Sequence, residues 1–170
     1  MIQPLSLRTQ KLLLGQGFPE GECTLRRDRL VWEGRVQPTA VSHSYNVRVT
    51  YALYTLPEIF LLSPNPQQIA DAAIPGRTIP HVYSHEHPMR LCVYHPKKRE
   101  WKYTMPLVTT VVPWTIMWLS FFEDWVCTDI WSGGGEHPEP RQFETGASEV
   151  APHGLDALSG ESGSVRDFRA

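Results

Sequence analysis

From Tyr45 to Leu53 the chain alternates without a break: Tyr45, Val47, Val49, Tyr51 and Leu53 fall on one side, and Asn46, Arg48 and Thr50 on the other. A period of two marks a strand with one face in the core and one in water. The same rhythm precedes it. Leu30, Trp32, Gly34 and Val36 alternate with Val31, Glu33 and Arg35. Cys23 and Leu25 alternate with polar residues ahead of Asp28, where a tight hairpin turn belongs. Glu58 to Leu62, bracketed by Pro57, Pro64 and Pro66, is a fourth short strand. Consecutive strands with short links predict a four-stranded antiparallel meander with one buried face.

Something must cover that face. Leu5, Leu12 and Leu13 have helix-like spacing, which predicts an N-terminal helix over Leu5 to Leu14, stopped by Gly15 and Gly17. A second helix begins at Pro113, which suits a first turn. Trp114, Trp118, Phe121 or Phe122, and Trp125 recur at helical spacing along it. Ile116, Met117 and Leu119 make it apolar nearly all round, which predicts heavy burial, with Glu123 and Asp124 at its more exposed end. The uncharged segment Tyr103 to Phe122 contains Pro106, Pro113 and several Thr and Ser. It reads as a strand edge leading into this helix rather than as a membrane span. The fold class is therefore α+β. Between strands and helix, Ser63 to about Lys98 reads as a long irregular stretch dense in Pro and His, the kind of loop that carries function.

Charge and cysteine usage exclude several roles. With 16 basic and 18 acidic side chains the net charge is −2, without the electrostatic footprint of a nucleic-acid binder. The apolar stretch of Met1 to Gly15 is too short for a signal peptide, and three cysteines build no disulfide framework, so a reducing cytoplasm is the expected home. All six Trp lie before Pro138. Glu139 to Ala170 is rich in Gly, Ser, Glu and Asp, with Phe143 and Phe168 its only aromatics. The expected organisation is a domain over 1–138 and a flexible acidic tail over 139–170.

The chemistry concentrates in His81-Val-Tyr83-Ser-His85-Glu-His87-Pro88-Met89-Arg90-Leu-Cys92-Val-Tyr-His95-Pro96. A thiolate is the reactive form of cysteine, and Arg90, His87, His95, Lys97 and Lys98 are near Cys92 in sequence. Between Leu91 and Val93 it also fits as a small buried hydrophobe, but a His- and Pro-rich loop favours a nucleophile. Cys23 and Cys127 belong to patterns of buried elements, so Cys92 is expected to react first. His81, His85, His87, Cys92 and His95 offer zinc donors, yet their spacing matches no strong zinc pattern and no CxxC pair is present. No metal or cofactor is expected. GxSxG, P-loop and dinucleotide fingerprints are absent, and Gly133 to Gly135 follow a helix rather than open one.

This order of elements resembles the ubiquitin-conjugating enzyme fold over roughly Leu5 to Pro138: N-terminal helix, four-stranded meander, Pro-rich loop with His87-Pro88 and Cys92, then Trp101 and C-terminal helices. Leu56-Pro57 to Pro64 is similar to the family's strand entering its Pro-flanked loop. The blocks Leu91-Cys92-Val-Tyr-His95-Pro96, Glu100-Trp101, Val112-Pro113-Trp114 to Trp118-Leu119, and Trp131 to Pro138 resemble a bacterial branch. That branch is the stand-alone conjugating protein of anti-phage CBASS operons, which acts with a cGAS-like nucleotidyltransferase (CD-NTase). The resemblance implies a cysteine-dependent transferase with a thioester at Cys92 and the CD-NTase as partner. A binding module that regulates the CD-NTase without catalysis is the alternative. One departure stands out: Met89 occupies the position of the family's oxyanion-stabilising Asn. A missing donor costs about 3 kcal/mol in the transition state, and His87, His85 and Tyr83 are candidates to replace it.

Overall fold

Ser6 starts the first helix. Its hydroxyl accepts the Thr9 N–H at 3.1 Å, an N-cap that satisfies one of the first turn's orphan donors. The computed structural model describes residues 3–134, and α1 runs Leu7–Gly17. Gly15 therefore lies inside the helix and does not stop it; Gly17 is its last residue, and the chain turns at Phe18. Gly17 is explained by space, since a Cβ there would collide with the side chain of Val108.

The strands follow the alternation. They are β1 (Glu22–Arg26), β2 (Arg29–Val36), β3 (Tyr45–Ala52) and β4 (Glu58–Ser63), each antiparallel to the next. Arg27 and Asp28 form the two-residue turn between β1 and β2, with Arg27 at φ 48°. Leu30, Trp32 and Val36 of β2, Tyr45, Val47, Val49 and Tyr51 of β3, and Ile59 and Leu61 of β4 are all buried on one face. Fully burying a side chain of this size contributes about 1.5–3 kcal/mol.

The stretch Ser63 to Lys98 is not irregular. Helix α2 (Pro66–Ala73) begins there, with Pro66 in its first turn and the Asn65 side chain accepting the Gln67 N–H at 3.0 Å. Strands β5 (Val82–Ser84) and β6 (Met89–Leu91) extend the meander to a six-stranded sheet of order β1-β2-β3-β4-β6-β5. They escape a period-two search because each has three residues.

Past β6 come 3-10 turns at Pro96–Lys98 and Leu107–Thr109, then α3 (Val111–Thr128). No strand edge precedes α3. The segment is pinned instead by the buried Gln10 of α1, whose amide donates to the Met105 carbonyl at 3.0 Å and accepts the Leu107 N–H at 2.9 Å. Val111, Val112, Trp118, Leu119 and Phe122 join the core of the sheet and α1. The helix is not buried all round: Met117 is 48% exposed, and Trp114 and Phe121 are half-buried. Glu123 is not simply an exposed end, for it accepts the Tyr45 hydroxyl and the His43 N–H, both at 2.9 Å. Among the described residues no helix is long and apolar enough to cross a membrane. The expected tail, 139–170, lies outside the described residues.

Candidate active site

Cys92 follows the last residue of β6 and is half-buried. Its backbone N–H donates to the carbonyl of His81 at 2.9 Å. That carbonyl also accepts the Trp118 indole N–H at 3.0 Å, so one oxygen joins the cysteine to α3. His81 sits at φ 54°, a left-handed conformation that costs energy for a residue with a Cβ. It is buried, and its ring stacks on Trp131 with centroids 4.9 Å apart.

These contacts leave a groove of about 430 Å³. Cys92, His81 and Glu100 line it together with Trp114, Met117 and Phe121 of α3, and Trp118 and Trp131 complete its wall. Trp114, Met117 and Phe121, which α3 leaves partly or largely exposed, are therefore part of the wall of the cysteine groove. Their spacing is visible in the sequence, but it reads as core because nothing local shows that one strip faces an opening.

Burial pushes the Cys92 thiol above its ordinary value. A hydrogen bond from Tyr83 to the ionised sulfur opposes this, the Glu100 charge adds to the rise, and Arg90 opposes it. As a thiol, Cys92 directs Sγ toward the Tyr94 carbonyl at 3.7 Å, a weak bond. Burial, first of all, also raises Tyr83, so its phenol stays a donor at neutral pH. Arg90 lies over the Tyr83 ring at 4.8 Å and pairs with Glu58 at 3.0 Å. The Tyr94 hydroxyl donates to the Pro57 carbonyl at 2.6 Å, holding the segment after Cys92 against the start of β4.

Of the residues singled out in the sequence, Tyr83 and Cys92 come together. His85 and His87 are exposed on the connection between β5 and β6 and do not line the groove. Met89 is 1% exposed in the core, so its side chain cannot replace the missing Asn as a donor. Cys127 corrects its reading as a buried thiol, because it is exposed. The cationic neighbourhood does not lower Cys92 below an ordinary thiol, since burial outweighs Arg90. Among the described residues no group of three or more His, Cys, Asp or Glu is placed to hold a metal ion. Glu100 escapes the sequence reading because only the turn at Pro96–Lys98 returns its carboxylate to the groove.

No curated protein matches the chain. The family model described as Type II CBASS E2 protein matches residues 10–138, which take in the sheet, the cysteine and α3. The chain therefore belongs to the Type II CBASS E2 family, ubiquitin-conjugating-like transferases that act with a CD-NTase in CBASS anti-phage signalling.

Proposed function

We propose that Cys92 is the residue that carries the acyl group, as a thioester with the C-terminal carboxylate of the CD-NTase. The observation that carries this reading is a half-buried thiol in an aromatic groove with the Tyr83 phenol facing its sulfur. The carboxylate arrives as an acyl adenylate made by an adenylating enzyme outside this chain. Sulfur attacks the acyl carbon, AMP leaves, and the thiol proton passes to solvent. An amine then displaces the sulfur and forms an isopeptide-type bond. Tyr83 donates to the sulfur when it is ionised and to the oxyanion as it forms. His85 and His87, exposed on the same connection, meet the docked partner and supply further donors at the acyl carbonyl. The three free cysteines support a reducing cytoplasm as the setting.

The test is co-expression with the CD-NTase of the same operon, followed by a non-reducing gel and intact mass. The expected product is a covalent adduct that thiol treatment releases and that Cys92→Ala abolishes. The thiol raised by burial and Met89 in the place of a donor favour a second reading, a binding module without catalysis. A stable complex without adduct, as competent in defence with Cys92→Ala as without it, selects that reading.

A further inference from the structure

Tyr83 is out of step with its strand. Val82 of β5 pairs with Leu91 of β6, and Ser84 pairs with Arg90, so two steps along β5 match one along β6 and Tyr83 is the extra residue of a bulge. A bulge re-aims a side chain and interrupts the ladder around it. β5 is also three residues long and lies at the edge of the sheet. The Tyr83 ring is 39% exposed, so neither its strand nor the core fixes it. Arg90, on the inner strand β6 and opposite Phe60 of β4, supplies the support. Its Cζ lies 4.8 Å from the centre of the Tyr83 ring, within cation–π range. The same guanidinium is anchored on β4, where Nη2 meets Glu58 Oε1 at 3.0 Å. Its Nε is buried without a hydrogen-bond partner among the described residues, so the ring and the Glu58 carboxylate are what hold the head in place.

We propose that Arg90 is a positioning residue for the transfer reaction: anchored by Glu58, its planar head holds the bulged Tyr83 so that the phenol is presented to the Cys92 sulfur. The consequence for rate rests on the thioester reading above; the effect at the sulfur does not. A flat guanidinium covers a ring face, whereas an ammonium is a compact point charge, so lysine is no equivalent here. The line from Glu58 through Arg90 and Tyr83 to Cys92 therefore joins β4, β6 and β5 to the residue that follows β6. Arg90 also acts on Cys92 through its charge, which favours the thiolate. A test must separate that direct influence from the one passed through Tyr83.

Arg90→Lys in the full-length protein keeps the charge and removes the flat face. The deciding readout is the pH midpoint of Cys92 alkylation, followed by mass spectrometry of the Cys92 peptide. With Tyr83 in place, Arg90→Lys is expected to raise that midpoint and to slow accumulation of the CD-NTase adduct on co-expression about tenfold. In a Tyr83→Phe background the same substitution is expected to leave the midpoint in place and to change adduct accumulation by less than about twofold, because the two residues act as one unit. Glu58→Gln gives an opposed sign. Loss of its negative charge alone would lower the midpoint, whereas loss of the anchor is expected to raise it. A midpoint that Arg90→Lys leaves unmoved overturns the proposal, since charge alone then suffices. A shift of equal size with and without the Tyr83 hydroxyl also overturns it, since Arg90 then acts on Cys92 directly or on the fold. A Glu58→Gln midpoint that falls overturns the anchored form of it. A wild-type protein that never forms a thiol-releasable adduct overturns the thioester reading, and the alkylation midpoints then decide the proposal by themselves.

Discussion

The Cys92 amide donates to the His81 carbonyl at 2.9 Å, so the proposed nucleophile is held by a residue eleven positions upstream in a left-handed backbone conformation. The same oxygen receives the Trp118 indole at 3.0 Å, which makes α3 part of the cysteine's support. Trp118→Phe keeps a ring against Phe122 but removes the N–H. It is expected to cost about 0.5–1.5 kcal/mol, read as a lower Tm or denaturation midpoint. Adduct formation should slow as well, because the cysteine loop loses its tie to the groove wall. Unchanged adduct kinetics would show that the link to α3 does not position Cys92.

Thiol chemistry separates exposure from function. Cys127 is exposed and Cys92 is half-buried, so a small alkylating probe should modify Cys127 first in the folded protein. In a Cys127→Ser background, the pH midpoint for Cys92 alkylation should lie above the value of about 8.5 for a free thiol, because burial disfavours the thiolate. Tyr83→Phe removes a donor to the thiolate and should move that midpoint up. Glu100→Gln removes a repelling charge and should move it down. Mass spectrometry of the Cys92 peptide across pH reads both signs.

The parts legible in the sequence have long, one-sided patterns. β2 and β3 each show eight residues of alternation, enough to fix which face is buried. β5 and β6 are too short for a period, and α2 is hidden because Pro64 and Pro66 read as loop markers although Asn65 and Pro66 form a helix start. Cys92 is legible from its blocks of neighbours. Glu100 and the wall at Trp114 and Met117 are not, because their meeting with Cys92 depends on the path from 93 to 113 rather than on local spacing. Exposure of Cys127 is missed for a related reason: α3 is so apolar that its outward strip cannot be told from its inward one.

Glu123 predicts the acid limb of stability. Burial would raise its carboxyl, but hydrogen bonds from the Ser42 side chain, the His43 N–H and the Tyr45 hydroxyl overcome that and hold it below the ordinary carboxylate value. A carboxyl lowered in the folded state contributes stability that is present above its unfolded pKa of about 4.3 and is lost as pH falls through the folded value. Glu123→Gln should therefore lower stability at pH 7 by about 1 kcal/mol. The gap should close below about pH 4. Denaturant unfolding of both proteins at pH 7 and pH 3.5 measures it, and a gap that persists at acid pH would assign the loss to packing.

The departure at Met89 can be tested directly. If the family's Asn were simply missing, Met89→Asn would restore a donor and speed acyl transfer. The geometry says otherwise, because Met89 faces the core on β6, where its strand pairs with Leu61 of β4. An amide placed there removes apolar contacts and buries polar atoms, an expected loss of about 2–5 kcal/mol with no gain in rate. Tyr83 presents the opposite case. It is exposed enough to lose its hydroxyl at little cost in stability, yet its hydroxyl favours the ionised form of the Cys92 sulfur. Tyr83→Phe should slow adduct formation by roughly 100-fold while Tm stays nearly constant. The comparison needs both readouts on both variants. A faster Met89→Asn protein would mean that the donor site lies at β6, and a fully active Tyr83→Phe protein would pass the oxyanion role to His85 or His87.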